Sequence, residues 1–293
     1  MNPQFPIYIV SKGRWESRLT SKALELMRVP YLVVIEEQEY TQYAAVIDRS
    51  KLLVLDKSYQ DNYDTCDDLG STRSKGSGAA RNFAWDHAVA KGFSWYWCVD
   101  DNIRWFYWWN NNQKIYMTDG ACFAAMEDFC LRYTNIAMAG PHYAMFVPRK
   151  KREAPLIFNT RIYSCNLIRT DIPFRWRCRY NEDTDLSLRI LKAGWCTVLF
   201  RTFLQQKMPT QCMPGGNTTA LYDDGTRAKS EMLWRLHPDV TKLVIRYGRH
   251  HHQVNYDVFK SNVLRRKELL QVATSPKYTF DIVPRVRRKG SVV

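Results

Sequence analysis

Short apolar runs alternate with helical patterns along most of this 293-residue chain, and that rhythm restricts the fold more than any other feature. Ile7-Tyr8-Ile9-Val10, Tyr31 to Ile35, Lys51 to Leu55 and Phe93 to Val99 read as buried strands. Further strands are expected at Ile136 to Met138, Ile162 to Ile168 and Thr197 to Phe200. Between them, Trp15, Leu19, Ala23 and Leu26 repeat at helical spacing until Pro30 closes the helix. Ala80, Phe83, Ala84, His87 and Ala88 share one face of a second helix, which ends at Lys91-Gly92. Strands alternating with helices predict an α/β sandwich around a mainly parallel sheet. Such sheets bind ligands outside the carboxyl ends of their strands, so the residues just past each strand are the first candidates for a site.

Composition narrows the class. With 45% hydrophobic and 25% charged residues, a disordered or fibrous chain is excluded. No apolar run approaches the roughly 18 residues of a membrane span, and Met1-Asn2-Pro3-Gln4-Phe5-Pro6 lacks the basic and apolar regions of a secretory signal. A cytoplasmic protein without a membrane partner is expected. The eight cysteines include no C-x-x-C pair, so they read as buried free thiols rather than metal ligands. No G-x-G-x-x-G follows a strand and no G-x-x-x-x-G-K-[ST] occurs, which argues against a dinucleotide fold and a P-loop. The net charge of +14 is concentrated late: from Thr241 onward, 12 Lys and Arg stand against three acids. A segment of that kind attracts polyanions, nucleic acid first. The expected division is a domain over 1–235 and a basic C-terminal segment over 236–293, packed on or extending that domain and contacting DNA.

Several constellations carry chemistry. Asp100-Asp101-Asn102 follows an apolar strand directly. Adjacent carboxylates there stay ionised most easily around a cation, and hard oxygen donors suit Mg²⁺ or Mn²⁺. Asn181-Glu182-Asp183-Thr184-Asp185 opens a helix that Gly194 closes. Capping and the helix dipole account for one or two of these acids, leaving room for a catalytic base. Arg73-Ser74-Lys75-Gly76-Ser77-Gly78 leads into a helix N-terminus, an arrangement that holds phosphate. Lys207 sits in a loop running to Pro209-Thr210 and Pro214-Gly215-Gly216-Asn217, another phosphate candidate. In the run His250-His251-His252, one ring either completes a metal site or belongs to a surface cluster beside an anion. The aromatics Trp105 to Trp109 divide between packing and stacking on a base or sugar.

In combination these pieces resemble a GT-A glycosyltransferase, a Rossmann-like nucleotide-sugar-binding domain, over roughly residues 5 to 220. Ile9 to Arg14 is similar to that fold's first strand and nucleotide loop. Gly78 to Asn82 is similar to the helix start that precedes the metal strand. Asp100-Asp101-Asn102 stands where the family carries D-x-D, with Asn at the third position, and Glu182-Asp183 where it carries x-E-D. A closer resemblance is to the TET-associated glycosyltransferases, found largely in phages, through Lys207 to Thr210, Gly215 to Asn217 and the His-rich stretch from Arg249 to Tyr256. The resemblance implies transfer of a sugar from a UDP-sugar to 5-hydroxymethylpyrimidine in DNA, 5-hydroxymethylcytosine favoured, in the host cytoplasm if the chain is phage-encoded. It implies Mn²⁺ or Mg²⁺ at Asp100, Asp101 and Asn102, with His251 as a further candidate. Ser11, Lys12, Arg14, Lys75, Arg81, Asp100 and Lys207 become donor contacts, and Asp183 or Glu182 the base.

Three rivals share parts of this pattern. A GT-A enzyme acting on polysaccharide, lipid or protein has the donor site but no need of DNA. A metal-dependent nuclease or nucleotidyltransferase uses similar carboxylates and ignores a sugar nucleotide. A non-catalytic DNA-binding module keeps its DNA affinity when Asp100 and Asp183 are replaced.

Overall fold

The computed structural model describes residues 1–70, 74–148, 153–208, 227–246 and 248–267. The first half contains β1 (Ile7–Val10), α1 (Leu19–Leu26), β2 (Leu32–Ile35), α2 (Tyr40–Ala44), β3 (Leu52–Val54), α3 (Lys57–Asp61), α4 (Gly78–Ala90) and β4 (Trp95–Asp100). It continues with β5 (Ile103–Asn110), β6 (Gln113–Tyr116), α5 (Ala121–Leu131), β7 (Ile136–Tyr143), β8 (Leu156–Phe158) and β9 (Cys165–Arg169). Next come α6 (Glu182–Lys192), β10 (Cys196–Lys207), α7 (Arg227–Leu236), β11 (Thr241–Arg246) and β12 (Arg249–Val254).

Among the described residues, ten strands form one sheet in the order β3-β2-β1-β4-β9-β7-β10-β5-β6, with β8 also on β10. The block β3-β2-β1-β4 is parallel throughout. β9 then enters antiparallel between β4 and β7, β10 runs parallel to β7, and β5, β6 and β8 are antiparallel additions. The sheet is therefore half parallel and half mixed, a large central sheet that fits a Rossmann-like α/β fold. The antiparallel entry of β9 matters for the site. It brings the first residues of β9, rather than its last, to the edge where β4 ends, so that Asp100 N donates to Ser164 O at 2.7 Å.

The apolar runs are continuous because the sheet is covered on both faces. Ile7, Ile9, Trp97 and Val99 pack into one core with Leu24 of α1 and Phe123 of α5. Their neighbours Tyr8, Tyr96 and Cys98 pack into the other with Trp85 of α4 and Leu186 and Ile190 of α6. Burying each such side chain contributes roughly 1.5–3 kcal/mol. The aromatic run after the acids is strand β5: Ile103, Phe106 and Tyr107 are buried, whereas Trp108 is exposed.

Past α7 the chain packs back on the domain. Leu233, Val240 and Phe259 close over Leu188 and Leu191 of α6, and Thr134 N donates to Arg265 O at 2.8 Å. Arg73, Cys212, Pro209-Thr210, Pro214 to Asn217 and the basic stretch after residue 267 lie outside the described residues. The seven described cysteines are unbridged, and six are buried. Among the described residues, no helix is long and apolar enough to cross a membrane.

Candidate active site

The site begins where β4 stops. Asp100 is the last residue of that strand, and its two oxygens are held from two directions. Arg81 of α4 donates to Oδ1 through Nη2, and Lys207 at the end of β10 donates to Oδ2 at 2.6 Å. Burial alone raises a carboxylate's pKa; here the Lys207 and Arg81 charges outweigh it and hold Asp100 well below the usual range. Lys207 shows the converse: burial opposes its charge, yet Asp100 keeps the ammonium well above its usual value. Its Nζ also donates to Ser164 Oγ at 2.7 Å and lies 5.9 Å from the centre of the Tyr143 ring.

Asp101 turns the opposite way. It accepts from Ser11 Oγ at 2.8 Å and from Arg14 Nη1 at 2.5 Å. Burial raises its pKa, against the pull of Arg14 and Ser11. Ser11 also bonds the Tyr43 hydroxyl at 2.6 Å. Ser11, Arg14 and Asp101 thus brace the loop after β1 against the turn after β4. Asn102 is buried, and its Oδ1 has no hydrogen-bond partner.

The three acids of the α6 first turn separate into three environments. Asp185 is fully buried, between Arg177, Arg189 at 2.7 Å and His237 Nε2 at 2.9 Å. Burial opposes ionisation there, but the bonds from His237 and Arg177 prevail and its pKa falls well below the usual value. Glu182 accepts from Ser77 Oγ at 2.8 Å and lies 3.5 Å from Arg81 Nε. Burial pushes its pKa up and Asp183 adds to the rise, against Arg81. Asp183 is half-buried; its Oδ1 accepts from Thr184 N at 2.7 Å, and its other oxygen has no partner among the described residues. Its charge acts on Arg161, Lys207 and Lys229 and on Tyr143, Tyr163 and Tyr256.

Two glycines make this gathering possible. Gly76 has φ +86, and a Cβ there would come within 2.7 Å of Arg179 O. At Gly78 a Cβ would strike the Tyr63 hydroxyl, which donates to Cys178 O at 2.8 Å. The loop is glycine-rich because Tyr63 and the segment after β9 lie against it.

The remaining sequence candidates are placed elsewhere. Lys12 pairs with Glu36 at 2.6 Å on the surface. Lys75 donates to Gln60 O at 2.6 Å and Asp61 O at 3.2 Å, capping the end of α3. His251 lines a cavity with Arg161 and Arg246. Among the described residues, no three His, Cys, Asp or Glu side chains gather in a metal-holding group. Ser164, Tyr143, Arg161 and Lys229 are not among the sequence candidates. Searching the residues just past each strand overlooks Ser164, since β9 is antiparallel and presents its beginning at this edge. Tyr143 lies beyond the expected end of its strand, because β7 runs on to it.

The carboxyl edge of this Rossmann-like sheet thus joins a charge-compensated acid, Asp100, to a second, open acid, Asp183, on a neighbouring helix. The TET-associated glycosyltransferase family model matches residues 5–216, a span holding this cleft from Ser11 to Lys207, and the chain belongs to that family. It is a glycosyltransferase, and membership implies modified DNA bases and a nucleotide sugar as its partners. No curated protein matches the chain.

Proposed function

We propose that the protein is a metal-dependent GT-A glycosyltransferase that moves a sugar from a UDP-sugar to the hydroxyl of 5-hydroxymethylpyrimidine in DNA, with 5-hydroxymethylcytosine the preferred acceptor. The reaction takes place in the cytoplasm, the host's for a phage-encoded enzyme. The observation that carries the reading is Arg81, which reaches Asp100 at the end of β4 with Nη2 and Glu182 at the start of α6 with Nε. One side chain thereby ties the donor edge of the sheet to the helix that carries the base.

In this reading the diphosphate lies over the end of β4, where Arg81 and Lys207 neutralise its charge. Asp100 and Asn102 are the oxygen donors that would hold Mn²⁺ or Mg²⁺. The unpartnered Asn102 Oδ1 fits that role; Asp100, held by Arg81 and Lys207, would exchange one of these cations for the ion, as would Asp101, held by Arg14 and Ser11. The ion, when bound, acts as a Lewis acid on the leaving diphosphate. Asp183 takes the proton from the acceptor hydroxyl as that oxygen attacks the anomeric carbon. Its second oxygen has no hydrogen-bond partner among the described residues and is open to that hydroxyl. Glu182, engaged by Ser77 and Arg81, orients that corner of the site.

The test is UDP release from UDP-sugars with Mn²⁺, comparing DNA containing 5-hydroxymethylcytosine, plain DNA and polysaccharide. Release stimulated by the modified DNA alone supports the reading. Equal stimulation by polysaccharide, or none by modified DNA, overturns the acceptor.

A further inference from the structure

The β11–β12 hairpin has a face that the proposed transfer chemistry does not use. Strand register puts Lys242 opposite Gln253, Val244 opposite His251 and Arg246 opposite Arg249. With a side-chain period of two, these six residues share one face. Lys242, Arg246 and Arg249 are exposed there, with no ion pair among the described residues. Like charges directly opposite one another destabilise a strand pair, by up to about 1 kcal/mol. A hairpin that keeps Arg246 across from Arg249 is suited to a polyanion that neutralises both.

Beside the hairpin face lies a cavity of about 250 Å³, lined by Val244, Arg246, His251 and Gln253 of that face together with His252, Tyr256 and Arg161. No carboxylate lines it. His252 Nδ1 is buried there without a hydrogen-bond partner. The cavity is joined to the proposed catalytic cleft by side chains in contact. Arg161 stacks on Tyr163 at 5.0 Å, Tyr163 lies 4.1 Å from Tyr143, and Tyr143 bonds Ser164, the partner of Lys207. Asp183 acts on both Arg161 and Tyr256.

From this geometry we infer that the cavity beside the hairpin receives the acceptor nucleotide of a DNA strand, and that Lys242, Arg246 and Arg249 hold the phosphates flanking it. The inference rests on the DNA-glycosyltransferase reading. The occupant is a nucleotide, because Gln253 and the unpartnered His252 offer hydrogen bonds to a base edge while Arg161 and Arg246 on the same wall meet its phosphate. A base held within a duplex stack cannot reach into the cavity, so the target nucleotide is unstacked on entry. The phosphates beside it then meet the guanidinium groups of the same face.

The experiment uses the full chain and a short DNA duplex with 5-hydroxymethylcytosine beside 2-aminopurine, whose fluorescence rises when its neighbour unstacks. Duplex affinity is measured by anisotropy between roughly 50 and 200 mM salt. Arg246→Glu/Arg249→Glu, on the exposed face, is expected to lower affinity tenfold or more at low salt and to reduce the log–log salt slope by about two. Val244→Trp fills the cavity. It is expected to abolish the 2-aminopurine rise and sugar transfer, with duplex affinity within about twofold of wild type and UDP release without acceptor unchanged. Gln253→Ala, a truncation at an exposed position, is expected to raise the KM for modified DNA about tenfold at unchanged acceptor-free UDP release. An unchanged salt slope in the arginine variant overturns the strand seat. Wild-type transfer by both Val244→Trp and Gln253→Ala overturns the cavity. If the wild type glycosylates no DNA, the DNA-glycosyltransferase reading itself fails, while the salt slope and the 2-aminopurine signal still decide whether this face binds DNA.

Discussion

The carboxyl edge of the sheet and the β11–β12 hairpin are both rich in basic side chains, and they use them in opposite ways. At the end of β4 the cations are paired with the acids: Arg14 holds Asp101, and Arg81 and Lys207 hold Asp100. On the hairpin, Lys242, Arg246 and Arg249 have no ion-pair partner among the described residues. Buried charges need partners because desolvation penalises them, so pairing there fixes geometry. Exposed charges lose little by standing alone, and they are free to exchange counterions for phosphates. Within α6 the same division recurs two residues apart. Asp185 is saturated by Arg177, Arg189 and His237, while Asp183 keeps one oxygen open.

The largest effect is expected where an open group is removed. Asp183→Asn should lower the transfer rate by about a thousandfold, within the usual span for losing a general base, while UDP-sugar binding measured by calorimetry stays close to wild type. An active Asp183→Asn enzyme would assign the base to another residue. Next comes the joint between the two halves of the cleft. Arg81→Gln strips the buried Asp100 of one cation and should destabilise the fold by about 3–5 kcal/mol in denaturant titration. A smaller loss would mean that Lys207 alone balances Asp100.

A third effect depends on pH. The folded pKa of Asp185 lies below its ordinary value, so its stabilisation is present above that value and is lost as pH falls through the folded pKa. The Tm gap between wild type and Asp185→Asn should therefore be full at neutral pH and shrink below about pH 4. A gap that stays constant down to strong acid would show that the asparagine disrupts packing rather than charge. The smallest effect belongs to Lys12→Ala. Its pair with Glu36 has the lysine about half exposed, at 48%, and should contribute about 0–1 kcal/mol. A larger loss in denaturant titration would place Lys12 among the paired charges that shape the site.

Much of the fold was legible because strands buried on both faces need continuous apolar runs, and Ile7 to Val10 or Trp95 to Val99 permit little else. The helix closures at Gly92 and Gly194 were legible for a similar reason: both glycines have φ near +80. Strand direction was not legible. Nothing in Cys165 to Arg169 distinguishes a parallel from an antiparallel neighbour, so Ser164 was hidden. The aromatic run after Asn102 concealed β5, since tryptophans on alternate faces of an edge hairpin mimic an irregular loop. Among the site residues, the acids at 100 and 183 stood out by their position after a strand and at a helix start. Which acids face the cleft did not, because Asp100 and Asp101, like Asp183 and Asp185, differ only in partners distant in sequence. Ser11, Arg14 and Lys75 illustrate the same gap: each is a plausible phosphate ligand by type, and each is taken up by Asp101 or by backbone carbonyls at 60 and 61.

As a TET-associated glycosyltransferase, the protein is expected to transfer a sugar to a modified base in DNA at the cleft between Asp100 and Asp183. The most direct test is nucleoside mass spectrometry after incubation with Mn²⁺ and a mixture of UDP-sugars. Parallel reactions would hold plain DNA, DNA with 5-hydroxymethylcytosine and DNA with 5-hydroxymethyluracil. The expected result is a hexose or N-acetylhexosamine increment on 5-hydroxymethylcytosine and none on unmodified bases. All nucleosides unchanged, with the donor sugars intact, would contradict it.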